Sequence, residues 1–189
     1  MKKLLSAAAL TAIFLVGLNA FAQKNEFAVE ASGQFPSADN LSFDPAVGYQ
    51  LNFAHRLIGI PGAGVYLEVP FLAGFSNQRT LTTPFGGVQN YKSLYITPGI
   101  KVKLLPAFPL SPYLAAGIGV AHFNSAVYSG SENDFAVDVG GGLDMKVFPY
   151  VSLRGEVRDF ITDTPNLNLF PGSGKTNNVV VSGGLVLRF

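Results

Sequence analysis

The two side chains best suited to catalysis in this sequence are His122 and Ser125, which lie three residues apart. A histidine next to a hydroxyl, with an acid to orient it, is the arrangement that performs nucleophilic hydrolysis. In an alternating strand these two residues point to opposite faces, and Glu132 is the only glutamate close by. We therefore interpret His122 as a polar residue at a strand end, and we predict no catalytic residue, metal site or cofactor.

A second set of residues that could act together is charged. These residues occupy alternate positions within the apolar segments. Alternate residues of a strand share a face, so these side chains would lie together on one side of a sheet. The predicted group comprises Glu30, Glu68, Lys101, Asp138, Asp144, Lys146, Arg154, Glu156, Arg158 and Arg188, with Lys103 on the same parity. Five acids and six bases nearly cancel. Charges enclosed together must pair, because an unpaired buried charge costs several kcal/mol.

The elements that must position these charges are eight segments with a two-residue hydrophobic period, each of about 8–14 residues. A strand tilted near 45° needs ~9–11 residues to cross the hydrocarbon of a membrane. The connections alternate between long and short, and the long ones are predicted at residues 34–44, 74–90, 124–133 and 162–176. Pro70 and Pro98 fit a closed sheet badly, because each removes a ladder donor, and we predict bulges at both.

Two kinds of eight-stranded barrel fit this pattern: a soluble barrel with an apolar core, and a membrane barrel with an apolar outside. The face opposite the charges is almost continuously Val, Leu, Ile and Phe, more than a small barrel interior usually holds. An eight-stranded lumen is just wide enough for side chains to fill it. We therefore predict a membrane barrel with a plugged lumen, cross-linked by salt bridges around Arg154, Glu156 and Arg158.

The first 22 residues have the features of a secretory signal peptide, which is excluded from the fold. Met1-Lys2-Lys3 is basic, and residues 4–18 form an apolar run that is short for a membrane span. Ala20-Phe21-Ala22 then supplies a small-x-small cleavage site, which predicts a mature chain beginning at Gln23. Residues 23–189 are predicted to form one domain.

The amino-acid composition excludes several kinds of site and partner. The chain has no cysteine, which excludes disulfides, thiol chemistry, a cysteine-based metal site and a lipoprotein anchor. The formal net charge of +1 falls to −1 without Lys2 and Lys3, so nothing indicates nucleic-acid binding. With 48% hydrophobic and only 13% charged residues, the chain must hide its apolar side chains in strands, against a core or against lipid.

The last segment, Asn178 to Phe189, alternates and ends on an aromatic residue. Within it, Ser182-x-Gly184-x-x-Leu187-x-Phe189 resembles the C-terminal assembly signal of bacterial outer-membrane barrels. The resemblance implies that the barrel-assembly machinery recognises this strand. It also implies that outer-membrane lipid and lipopolysaccharide surround the folded protein.

Residues 112–119 and 135–160 resemble the small barrels of the OmpA/OmpX type, through the runs Gly140-Gly141-Gly142-Leu143 and Ser152 to Arg158. The resemblance implies an all-β fold, an eight-stranded antiparallel up-and-down transmembrane β-barrel in the outer membrane. The peptidoglycan-binding activity of OmpA is not implied, because no periplasmic domain follows the last strand.

Three functions remain open. The first is a non-enzymatic surface barrel whose four long loops adhere to, or bind, an unidentified extracellular ligand, or support the envelope. The second is a narrow pore for ions or solutes, against which the charge balance of the lumen argues. The third is a lipid-modifying enzyme, because residues 121–125 resemble the His-x-Ser-Asn stretch of the PagL lipid A deacylases. In that comparison Asn124 occupies the position of the family's serine, and the spacing to Glu132 is too short.

Overall fold

The computed structural model describes residues 23–38, 42–43, 45–80, 88–125, 131–163 and 175–189. The predicted signal peptide, with Ala20 and Ala22 at its cleavage site, lies outside these residues. Gln23 is the first described residue, and its side-chain amide donates a hydrogen bond to the carbonyl oxygen of Pro149 at 3.1 Å. None of the described segments contains a helix that is long and apolar enough to cross a membrane.

The described chain consists of antiparallel strands that close into an eight-stranded barrel, as the period of two predicts. The strands are β1 (Asn25–Ala38), β2 (Ser42–Phe43), β3 (Ala46–Ile60), β4 (Ala63–Thr80), β5 (Val88–Ile96), β6 (Gly99–Leu104), β7 (Leu110–Ser125), β8 (Ser131–Phe148), β9 (Val151–Asp163) and β10 (Lys175–Arg188). The short β2 pairs only with the far end of β4. Strands β5 and β6 together form one barrel strand, since both pair with β4 and with β7.

Pairing of the first strand with the last closes the barrel. The register aligns Phe27 with Leu187 and Ala31 with Gly183. Beyond β10, the backbone of Phe189 exchanges two hydrogen bonds with Asn25, at 2.8 and 3.0 Å. A closed sheet has no edge strand, so the ladder donors and acceptors of these strands can be satisfied within lipid.

The two faces of the wall differ in polarity, as the sequence pattern predicts. On β3 and β10, residues alternate strictly between buried and exposed over most of their length. The exposed positions are apolar, for example Leu51 and Phe53 on β3 and Val181 and Leu185 on β10. Apolar side chains exposed on the outside and polar side chains buried inside are the reverse of a soluble barrel.

The prediction of bulges at the two prolines is wrong. Thr97 and Pro98 form a gap between β5 and β6. On β4, Phe71 pairs with Ile96 before this gap and Glu68 pairs with Gly99 after it, so Pro70 lies opposite the gap. Pairing with β4 and β7 resumes after the gap without a register shift. The two prolines, which lack an N–H donor, therefore interrupt the ladder of hydrogen bonds at the same place, and neither strand has an extra residue there. The register shifts lie elsewhere, for example between Arg56 and Ile58.

The strands are longer than predicted, and the predicted loops are correspondingly shorter. Strand β1 continues to Ala38, β4 to Thr80 and β7 to Ser125, although the sequence there is rich in Gln, Asn, Ser and Gly. Strands that extend beyond the bilayer face water on their outside, so they need ladder hydrogen bonds but not apolar side chains. The polar composition therefore marks where the outer face of the strand passes from lipid to water, and not where the strand ends.

We call the end of the barrel that carries the short connections the turn end, and the opposite end the loop end. The turn end carries the turn at Pro61-Gly62, the connection over residues 105–109 and the turn at Pro149-Tyr150. Gly62 has a φ of 90°, a conformation that glycine adopts without steric cost.

Candidate functional site

The lumen contains a cluster of buried charges that begins at the turn end. Glu26 on β1 accepts hydrogen bonds from Lys101, at 3.0 Å, and from Lys103. Asp144 on β8 accepts from Arg154 Nε at 2.8 Å and from Arg188 Nη2 at 3.1 Å. These residues come from β1, β6, β8, β9 and β10, so the cluster ties together strands on opposite sides of the barrel.

Farther toward the loop end, Arg158 is the centre of a second group of ion pairs. Its guanidinium donates to Asp138 at 2.8 Å, to Glu68 at 2.9 Å and to Glu156 at 3.0 Å. Lys101 also donates to Glu68 at 2.9 Å, which joins the two groups. All the partners are almost fully buried, so each charge lost would leave others without compensation.

Neutral side chains supply further donors to two of the buried carboxylates. Glu30 accepts hydrogen bonds from Asn52 at 2.9 Å and from Ser182 at 2.8 Å. Glu156 accepts from Gln50 and from the hydroxyl of Tyr113, the latter at 2.6 Å. A carboxylate buried in this way is stabilised by directed donors as well as by counter-charges.

Two tyrosine rings pack against the cations of the cluster. Lys101 Nζ and Lys103 Nζ lie 5.5 and 5.4 Å from the centroid of the Tyr66 ring. The guanidinium carbon of Arg154 lies 4.8 Å from the centroid of Tyr113. Such contacts between a cation and a ring face are worth ~0.5–2 kcal/mol, more where water is excluded.

Nine of the ten predicted lumen residues lie in this cluster. Lys146 does not: it is half-buried near the turn end, and none of the ion pairs within the described segments includes it. Glu26 belongs to the cluster but was missed in the prediction. It has the same parity as Glu30, which was the available signal, but it lies at the very start of β1, where alternation is hardest to recognise.

The half of the lumen nearer the loop end contains a group of apolar side chains, beside buried neutral polar residues such as Gln34 and Asn178. The apolar side chains form one buried group of Leu72, Tyr95, Ala121, Phe123, Ala136, Phe160 and Val180. The ring of Tyr95 lies edge-on to Phe123, with centroids 5.8 Å apart, and 5.1 Å from the centroid of Phe160. We call this group the aromatic layer. The sequence prediction missed this layer because it assigned charged residues to the lumen and did not consider the apolar residues at the same alternate positions.

The four residues of the predicted assembly signal are divided between the two faces of β10. Ser182 points inward to Glu30, whereas Leu187 and Phe189 are exposed on the outside. A Cβ atom on Gly184 would lie 2.0 Å from the carbonyl oxygen of Val29 on β1. Glycine at this position therefore allows the closing pair of strands to approach.

Of the residues considered for a hydrolase site, His122 and Asn124 have described side chains. The ring Nδ1 shares a hydrogen bond of 2.7 Å with the amide oxygen of Asn133 on the neighbouring strand. Asn124, two residues on, is exposed on the same outer face. The side chains of Ser125 and Glu132 lie outside the described part of the structure.

These features together define an integral outer-membrane barrel with a filled, ion-paired lumen. A family model for the outer membrane protein beta-barrel domain matches residues 8–189. The chain belongs to this family, which places it in the outer membrane. No curated protein sequence matches the chain significantly.

Solved structures with the same fold include several bacterial surface proteins. Neisserial surface protein A is 15% identical with a TM-score of 0.59, and the match covers 87% of this chain and 97% of that chain. OprG from Pseudomonas aeruginosa is 13% identical with a TM-score of 0.57, covering 88% and 97%. Ail, the attachment invasion locus protein of Yersinia pestis, is 15% identical with a TM-score of 0.53, covering 87% and 99%. At these identities the similarity shows the fold alone.

Proposed function

We propose that the protein is a non-conducting, non-enzymatic outer-membrane barrel that acts through its loop end, by adhesion, binding or support of the envelope. The observation that carries the proposal is the filled lumen. A solute entering from the loop end would meet the aromatic layer first, and a solute entering from the turn end would meet the buried ion pairs. Passage would require breaking buried pairs, at ~3–5 kcal/mol for each partner removed.

The length of the strands supports a role for the loop end. Strands β7 and β8 continue past the apolar band and carry exposed polar side chains there, namely Asn124, Ser131 and Asn133. Outer-membrane barrels place their longer connections outside the cell. Extended strands hold those connections away from the lipid surface, where a macromolecule can reach them.

Single-channel recording in planar bilayers tests the filled lumen. The purified protein is expected to insert without discrete conductance steps, while an open porin recorded in the same bilayers supplies the positive control. Reproducible ohmic steps from the protein would contradict the proposal and favour the narrow pore.

Loop replacement on whole cells tests the role of the loop end. Thr80 pairs with Val88, and Asp163 pairs with Lys175, so residues 81–87 or 164–174 can each be replaced by Asn-Gly. This two-residue turn fits between directly paired strands and leaves the barrel unchanged. Cells expressing each variant at equal surface level are compared for adhesion to host cells and matrix proteins.

We expect at least one replacement to reduce adhesion by a large factor. As a matched control, the turn at Pro61-Gly62 is replaced by Asn-Gly, which leaves the loop end untouched. If every loop variant adheres like the wild type, binding through these loops is excluded. An assay for loss of acyl chains from lipid A in the same cells tests the enzymatic alternative, with no change expected.

A further inference from the structure

Apart from His55, which is exposed on β3 and hydrogen-bonded to Asn25, the outside of the turn end is apolar down to the turns themselves. The exposed apolar side chains at this end include Ile60, Leu105, Phe108, Phe148, Tyr150 and Phe189. Several belong to the connections and not to the wall, such as Phe108, which is 54% exposed, and Tyr150, which is 61% exposed. The described loop end is different, because its outermost side chains are polar, including Lys92, Asn124 and Asn177.

The apolar band on β10 shows where the bilayer must lie. Its outward residues are apolar or glycine from Val179 to Phe189, and Asn177 is the first exposed polar residue. A tilted strand needs ~9–11 residues to cross the hydrocarbon, which this stretch just supplies. The bilayer therefore reaches the end of the wall, and the turns lie at the level of the lipid headgroups.

The charges that remain accessible at the turn end are basic. Lys24 is exposed, and Arg56 and Lys146 are half-buried. The two acidic side chains of this end, Glu26 and Asp144, are buried in the ion pairs of the lumen. Apart from the chain-terminal carboxylate, the described turn end thus presents positive charge among apolar turns.

We propose that the turn end is a docking surface for anionic phospholipid headgroups in the leaflet that it faces. Apolar turns stabilise contact with the boundary between headgroups and acyl chains, and lysines at the same depth attract lipids with net negative charge. A second copy cannot cover this surface within one membrane, because both copies insert in the same orientation and their turn ends face the same way. The surface therefore selects lipid by headgroup charge.

Fluorescence quenching by brominated lipids tests this preference directly. The chain contains no tryptophan, so Tyr150→Trp places a single tryptophan at the turn end, which can be excited selectively over the remaining tyrosines. The folded variant is placed in phosphatidylcholine vesicles that contain either brominated phosphatidylglycerol or brominated phosphatidylcholine. We expect blue-shifted emission and quenching that favours the anionic lipid by about two- to fivefold, since a base near an anionic surface is worth ~1 kcal/mol.

Two controls separate the proposal from a general effect of lipid. Phe135→Trp places the reporter on the lipid-facing wall toward the loop end, where we expect no comparable preference. Lys24→Gln with Lys146→Gln, combined with Tyr150→Trp, should bring the ratio close to one while quenching by both lipids persists. Equal ratios at the two reporters, or a preference unchanged by removing the lysines, overturns the proposal. Red-shifted emission that neither lipid quenches also overturns it, because the turn end would then face water or a protein partner.

Discussion

Arg158 is the residue on which most ion pairs of the second group, nearer the loop end, depend. It is the cation bound to Asp138, and it shares Glu68 with Lys101. Glu156 has further donors in Gln50 and Tyr113. Removing the Arg158 charge therefore affects Asp138 most, because the other two carboxylates keep alternative partners.

Arg158→Met is expected to lower the free energy of unfolding by ~3–5 kcal/mol, the cost of breaking a buried pair from one side. Adding Asp138→Asn should recover part of that loss, because coupled partners are not additive. Urea unfolding in lipid vesicles measures both variants. Asp144→Asn supplies the comparison, since its direct partners are Lys103, Arg154 and Arg188, and its coupling to Arg158→Met should be weaker than that of Asp138→Asn. If the effects of Arg158→Met and Asp138→Asn simply add, Arg158 and Asp138 are not coupled.

The outward residues of β9 test the position of the bilayer. Leu153 is exposed and pairs with Leu185, near the middle of the apolar band of β10, whereas Val157 is exposed four residues nearer the loop end, where the half-buried Asp159 follows on the same face. Leu153→Arg should destabilise the barrel by ~2–4 kcal/mol, the cost of arginine at the midplane, and Val157→Arg by clearly less. The comparison is made by urea unfolding in vesicles. Equal costs at the two positions would place the bilayer elsewhere, and no cost at either would indicate that this face is in water.

At the scale of the elements, the interruption between β5 and β6 depends on glycine in the next strand. A Cβ atom on Gly119 would lie 2.0 Å from the carbonyl oxygen of Ile96, immediately before Thr97-Pro98. The obstacle is backbone, which cannot rotate away as a side chain can. Gly155 on β9 is the opposite case, because a Cβ atom there would have no neighbour within 4 Å.

Gly119→Ala is therefore expected to cost ~1–3 kcal/mol, the range for overpacking, because β7 must move away from β5. Gly155→Ala is the matched control and should change stability by less than ~0.5 kcal/mol. Both variants are measured by the urea midpoint in the same vesicles. If Gly119→Ala is as stable as the control, the close contact between these strands is not required.

At the scale of the whole molecule, closure joins residues that are far apart in sequence. Phe189 makes both backbone hydrogen bonds to Asn25 beyond the end of β10, and its ring is exposed on the outside. Deletion of Phe189 is expected to slow membrane insertion more than it lowers final stability. Pulse-chase labelling of cells, with protease added to detect surface exposure, measures the insertion rate. Asn178→Ala is the control, because it leaves the chain end intact. Insertion of the truncated chain at the wild-type rate would show that this residue is not part of an assembly signal.

The sequence by itself determined the number of barrel strands, their two faces and most of the buried charges. A period of two is a local property, so Arg154, Glu156 and Arg158 could be assigned to one face from their spacing alone. The C-terminal motif and the apolar outer face likewise follow from residues that are near one another in the chain. Local patterns did not locate the ends of the strands, because residues 33–38 of β1, which include Gly33, Pro36 and Ser37, have the composition of a loop.

Only the tertiary structure decided which charges pair and which other side chains lie in the lumen with them. Arg158 reaches Glu68 across 90 residues of sequence, and Lys103 reaches Glu26 across 77. The stagger of the strands sets these pairings, and no local pattern encodes it. The same stagger brings Tyr95, Phe123 and Phe160 together on the loop-end side of the charges, although they lie on three different strands. It also aligns Pro70 with the gap at Pro98, so that two residues unfavourable in a sheet share one interruption of the ladder.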